Sequence, residues 1–173
     1  MAGNGIDPGR RSLLKGRLQP TPAPIRPPYA TNTRVLEACV RCGDCAAACP
    51  ESIIVAGDGG YPEISFHSGE CTFCVACAEA CRVPVFDMTL ATPWSQAAHI
   101  ADTCLARRGV VCQSCRDACP EGVITFTVTR GRPSQPYVNT AACTGCGACV
   151  SPCPAGAVTV IPTENRETSN VAC

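Results

Sequence analysis

Sixteen of the 17 cysteines fall into four blocks whose spacing is that of a metal-cluster ligand set. The first is Cys39-x2-Cys42-x2-Cys45-x3-Cys49 followed by Pro50, and the second is Cys71-x2-Cys74-x2-Cys77-x3-Cys81 followed by Arg82. The third reads Cys104-x7-Cys112-x2-Cys115-x3-Cys119-Pro120, and the fourth Cys143-x2-Cys146-x2-Cys149-x3-Cys153-Pro154. Three thiolates at i, i+3 and i+6 on one loop can reach three irons of a cubane, and the last cysteine of each block is placed to ligate the cubane held by another block. The spacing therefore predicts four [4Fe–4S] clusters. Small residues between the ligands, as in Cys42-Gly43-Asp44-Cys45 and Cys146-Gly147-Ala148-Cys149, let backbone N–H groups approach the inorganic sulfides.

The distances between blocks propose how they pair. Cys39 to Cys71 is 32 positions and Cys112 to Cys143 is 31, whereas Cys71 to Cys112 is 41. Two halves follow, each with two clusters. One cluster takes Cys39, Cys42, Cys45 and Cys81, and its neighbour takes Cys71, Cys74, Cys77 and Cys49. In the second half, Cys104, Cys112, Cys115 and Cys153 form one site, and Cys143, Cys146, Cys149 and Cys119 the other. A nested pairing, block one with four and two with three, is the alternative. Zinc is the structural rival, but zinc ribbons present two Cys pairs across a long loop rather than triples with a fourth ligand. Disulfides suit neither an odd thiol count nor a reducing compartment.

Two departures mark individual sites. Arg82 replaces the proline that would stop the chain after Cys81. The segment Leu105 to Val111 must loop out if Cys104 and Cys112 bind one cubane; otherwise the site holds three irons or Cys173 substitutes. Cys173 itself, near the chain end, reads as an idle surface thiol.

The elements that position these blocks must be short. Gly and Pro together supply 15 + 16 = 31 residues, which leaves little room for long helices. Removing cysteine from the 46% hydrophobic fraction leaves roughly 36%, thin for one oily core, so the clusters must fill the interior. Ile53-Ile54-Val55 and Tyr61 to Phe66 read as a hairpin around Gly57-Asp58-Gly59-Gly60, and Val123 to Val128 with Tyr137-Val138 repeats it. Val83 to Phe86 and Ala157 to Ile161 read as the closing strand of each half. The expected class is α+β: tandem bacterial two-cluster ferredoxin-like halves behind a Pro-rich irregular N-terminal arm. The boundaries are a basic arm over 1–34, halves over 35–91 and 104–162, a linker over 92–103 helical from about Ser95, and a tail over 163–173.

Charge excludes little by its total, since 14 basic and 14 acidic residues balance. Residues 1–38 nevertheless carry six basic side chains (Arg10, Arg11, Lys15, Arg17, Arg26, Arg34) against Asp7 and Glu37. Four loaded cubanes would add about −8, so a cationic arm would sit on an anionic body. This is not a nucleic-acid footprint, and no apolar run is long enough to cross a bilayer. Arg10-Arg11-Ser12-Leu13-Leu14-Lys15-Gly16 is similar to a twin-arginine export box. Five prolines within 20–28 deny it an apolar helix, so the chain is expected to stay in the cytoplasm, its arm acting as a solvated spacer or a docking segment. His67 and His99 form no base–nucleophile arrangement, and Trp94 reads as packing between halves. Fully Cys-capped cubanes exchange electrons and make no bonds, so no enzyme is expected.

The chain resembles the NapF-type ferredoxin-like proteins associated with periplasmic nitrate reductase. Arg10-Arg11 with Leu14 to Arg17, Ile25-Arg26-Pro27-Pro28-Tyr29, Gly59-Gly60-Tyr61-Pro62 and the four blocks carry the resemblance, including the irregular Asp102-Thr103-Cys104-Leu105. It implies a cytoplasmic iron–sulfur protein that contacts the precursor of the nitrate reductase catalytic subunit before export and helps its cofactors mature, by supplying electrons or a whole cubane. The rival is a plain carrier between an electron donor protein and an unrelated acceptor.

Overall fold

The computed structural model describes residues 23–128, 130–131 and 133–163. Arg10, Arg11, Lys15, Arg17 and Cys173 lie outside them. Among the described residues, four short α-helices, one 3-10 turn (Asp58–Gly60) and three two-stranded antiparallel sheets make up the regular structure: α1 (Asn32–Ala38), α2 (Asp44–Ala47), β1 (Ile54–Ala56), β2 (Pro62–Ile64), α3 (Ala76–Glu79), β3 (Gln96–Ile100), α4 (Ser114–Asp117), β4 (Ile124–Thr127), β5 (Gln135–Val138) and β6 (Val158–Pro162).

Each half is built on the same plan. A hairpin follows the first block: β1 pairs with β2 through Ile54–Ile64, and β4 with β5 through Ile124–Val138. One extra bond prolongs each, from the Ser65 N–H to the Ile53 carbonyl (2.8 Å) and from the Asn139 N–H to the Val123 carbonyl (2.9 Å). At the first turn, Gly59 adopts φ +68°, the left-handed conformation glycine enters without a steric penalty. The hairpins bury Ile53 and Ile124 at 2% and 1% exposure, each worth about 1.5–3 kcal/mol of burial.

The closing pair of each half differs from its expected form. In the second half, β6 pairs with β3 from Gln96–Pro162 to Ile100–Val158. The segment expected to be a helix from Ser95 is thus a strand, although Gln-Ala-Ala-His-Ile carries ordinary helix propensity. Burial overrides propensity here: Ala97, Ala98 and Ile100 are all buried, and Ala98 and Ile100 belong to the second-half core. In the first half, the strand expected over Val83 to Phe86 reduces to a single bridge between Phe86 and Ala30. Pro84 lacks a ladder donor, and the Val85 N–H turns back to the Val83 carbonyl at 2.7 Å. That turn takes the place of the missing proline stop after Cys81.

The arm also enters the fold earlier than expected, for residues 23–31 form a strap rather than a free spacer. Ile25 packs on the first-half core, its carbonyl receives the Ile64 N–H at 2.8 Å, and Pro27 is fully buried. The Tyr29 N–H donates to the Pro93 carbonyl (2.7 Å), and its carbonyl accepts from the Asp87 N–H (2.8 Å). Helix α1 then crosses the expected boundary at 34: the Thr31 hydroxyl caps the Arg34 N–H, and Val35 is fully buried. Two apolar cores result; the first also takes Val160 of β6, and Val150 packs against both.

Candidate iron–sulfur centres

The residues flanking the second cysteine of a block set the ligand loops. Arg41, Phe73 and Gly145, just before it, have φ of +61°, +55° and +71°, and Gly43, Val75 and Gly147, just after it, have φ of +86°, +58° and +85°. These left-handed turns coil blocks one, two and four in one sense, so that consecutive cysteines turn inward. Val75, β-branched, pays a steric penalty for that geometry. The third block does without these turns and uses a compact insertion. The Arg108 N–H bonds back to the Cys104 carbonyl (3.2 Å) and the Val110 N–H to the Leu105 carbonyl (2.9 Å), with Ala106 buried beneath. Seven intervening residues thereby bring Cys104 and Cys112 to one cavity.

The sixteen thiols gather as quartets. Cys49, Cys71, Cys74 and Cys77 line one cavity, which opens to solvent. Cys119, Cys143, Cys146 and Cys149 line a second, and Cys104, Cys112, Cys115 and Cys153 a third. Cys39, Cys42 and Cys81 surround Cys45 closely enough for their charges to act on it. In each quartet three thiols come from one block and the fourth from its partner block, one with two and three with four. We number the quartets centres I to IV by their leading block. Cys42 of centre I and Cys74 of centre II are exposed, whereas Cys77, Cys104, Cys115 and Cys149 are buried.

Electrostatics agree with a site that wants a metal. Burial pushes the Cys77 and Cys149 thiols up to about 12, with Cys71 and Cys143 respectively adding the next charge. Cys71 and Cys115 rise to about 11, again mainly through burial, and Cys45 rises for the same reason. A buried thiolate is stable only if a cation compensates it. Among the described residues, no three His, Cys, Asp or Glu side chains converge on a single metal ion, yet thiol quartets surround cavities. That donor set fits a cluster with several irons rather than one zinc.

Backbone N–H groups reach the sulfurs. Arg41 N–H points to Cys39 Sγ (3.4 Å), Ala98 N–H to Cys143 Sγ (3.4 Å) and Ala157 N–H to Cys153 Sγ (3.3 Å). Bonds of this kind stabilise negative charge on sulfur and raise a cluster's potential. Ala98 was invisible to sequence reasoning because its segment reads as helix. Two arginines are further additions. Arg26 and Arg41 lie over the Tyr61 ring at 5.9 and 5.4 Å, and Arg26 also holds the Pro62 carbonyl at 2.9 Å and Glu63 at 3.6 Å. Burial lowers the Arg26 pKa, with Glu63 and then Cys39 opposing the shift. His67 is exposed and His99 half-buried on β3. No helix among the described residues is long and apolar enough to cross a membrane.

The 4Fe-4S dicluster domain family matches residues 38–85 and 110–157, the second match starting after Cys104. The chain is similar to the ferredoxin-type protein NapF of Escherichia coli (strain K12), 40% identical over 143 residues that cover 82% of this chain and 87% of the relative. It is similar to the ferredoxin-type protein NapF of Haemophilus influenzae, 43% identical over 124 residues covering 71% and 70%. The ferredoxin-type protein NapG of Haemophilus influenzae is 29% identical over 147 residues, covering 72% of this chain and 53% of that protein.

Proposed function

The chain belongs to the family of NapF ferredoxin-type 4Fe-4S proteins, and on that premise we propose that it is a cytoplasmic protein with four [4Fe–4S] clusters that assists maturation of the periplasmic nitrate reductase catalytic subunit before export. The observation that carries the cluster count is the sorting of sixteen thiols into four quartets, each completed across a block pair. In this reading Cys39, Cys42, Cys45 and Cys81 hold the first cluster and Cys71, Cys74, Cys77 and Cys49 the second. Cys104, Cys112, Cys115 and Cys153 hold the third, and Cys143, Cys146, Cys149 and Cys119 the fourth.

Such clusters supply one-electron exchange when bound. The chain's own residues exclude water from Cys77, Cys104, Cys115 and Cys149, aim N–H groups at Cys39, Cys143 and Cys153, and hold Arg26 and Arg41 beside centre I.

The test is anaerobic capture of the immature catalytic subunit from cytosol by the full chain and by a form lacking residues 1–22. Truncation stops there because Ile25 and Pro27 belong to the core. A maturation factor binds the precursor and not the mature subunit, and its docking weakens when the basic segment is removed. A general carrier keeps its redox behaviour and captures neither form; that result overturns the maturation role.

A further inference from the structure

We propose that the two halves are not separate electron stores but one path, in the order centre I, II, IV, III, joined where the ligand loop of block four is pressed onto the first half. The inference rests on the reading that the quartets hold clusters. Centres I and II share the first core, in which Cys45, Cys49 and Cys71 pack with Cys77; centres III and IV share the second, in which Cys104, Cys115 and Cys149 pack together. Pairing within each half follows from that. The joint is a separate observation. The Cys71 N–H donates to the Cys146 carbonyl at 2.8 Å, so a ligand residue of centre II is hydrogen-bonded to a ligand residue of centre IV.

Three aromatic side chains hold the joint. Trp94 meets Phe66 and Phe73 edge-on, with centroids at 6.3 and 5.5 Å, and its Nε1–H donates to the Thr144 carbonyl at 2.7 Å. A methyl on Gly147 would stand inside the Phe66 ring, and one on Gly145 would lie 2.7 Å from the Gln96 carbonyl oxygen. Block four thus approaches the first half as closely as a glycine backbone permits. No layer of side chains separates the Cys71 and Cys146 backbones.

The transfer along this path balances by itself. An electron leaving one reduced centre oxidises it by one unit and reduces its neighbour by one, with no bond made and no proton moved. Centres I and III are the ends, so a one-electron protein donor and a one-electron protein acceptor can occupy different faces at once. The exposed Cys42 edge serves one end, with Cys74 of centre II also open to solvent in that half, and the loop bearing Val110 and Val111, at 52% and 96% exposure, serves the other.

The test is electron paramagnetic resonance on the full-length chain, purified anaerobically and reduced with dithionite, with iron and sulfide assayed on the same sample. A Cys39→Ala/Cys42→Ala/Cys104→Ala/Cys112→Ala form, which keeps only two ligands at each end centre, lacks those centres and retains the full ligand sets of centres II and IV. Spin–spin broadening in that form, removed by adding Trp94→Leu, supports the path; two independent spectra at full reduction overturn it. If that form does not fold, the intact protein decides. Trp94→Leu with unchanged iron is then expected to lower the half-saturation power several-fold, and no change overturns the proposal. Absence of iron and sulfide from the wild-type protein instead overturns the cluster reading, so the two failures are distinct.

Discussion

Gly147 and the Phe66 ring share a surface with no room for a single methyl group. Gly147 also sits at φ +85°, where any side chain is strained. Gly147→Ala is therefore expected to cost about 1–3 kcal/mol, read as a lower midpoint in anaerobic chemical unfolding. Phe66→Leu combined with it should recover part of the loss, because a smaller side chain vacates the space. A neutral single substitution would show that the halves do not meet there.

Removing one thiol from a quartet should degrade one centre and spare the others. Cys77→Ala is expected to lower iron by about one atom per chain where a three-iron centre is left, and by about four where the site empties. Cys49→Ala, in a different block, should degrade the same centre and give the same residual spectrum. Different residual spectra would contradict a quartet completed from block one.

The raised thiols make the iron-free chain sensitive to alkali. Cys77 and Cys149 keep their protons to about pH 12 when folded, against 9.0 for an ordinary thiol. Their protonation therefore stabilises the folded chelated protein fully below pH 9, and this contribution fades as pH rises and is gone above about 12. Urea midpoints of the chelated protein should fall across that window. The loaded protein has thiolate ligands already and should lose iron in acid instead, where protons compete for sulfur.

Arg26 is charged yet largely covered, with Glu63 and the Pro62 carbonyl as partners. Arg26→Ala should destabilise the loaded chain by about 1–3 kcal/mol through the polar groups it strands. Arg26→Lys should restore charge but not the planar stacking over Tyr61. If Arg26 acts on centre I through its charge, only the alanine form shifts the potential of one cluster downward in a spectroscopic titration.

Core truncation offers a check on how the second half is held. Ile124→Ala should cost about 2–4 kcal/mol, with iron at centres III and IV lost at lower denaturant than at I and II. Uniform loss would make the halves one cooperative unit.

The quartets were legible in the sequence because block spacing is covalent: residues three apart on one loop cannot part far, and the structure gathers them as the spacing proposes. The hairpins were legible for a similar local reason, from Ile54 and Ile124 with their turns. The β3 strand was not, since Ala97 and Ala98 favour a helix locally and become strand only through pairing with Ile161 and Val160. Nor was the strap, since Ile25 and Pro27 look like spacer composition until Ile64 and the first core receive them. Contacts between segments far apart in the chain leave no periodic trace.

The strap also orders events during synthesis. Ile25 needs Ile64, Ala30 needs Phe86, and Tyr29 needs Asp87 and Pro93, so the strap finds its full seat only after residue 93, 64 positions beyond Tyr29, has left the ribosome. Until then the first two ligand blocks stand uncovered to whatever delivers iron. Closure of the strap then adds Pro28 and Tyr29 to the wall of centre II and narrows that opening.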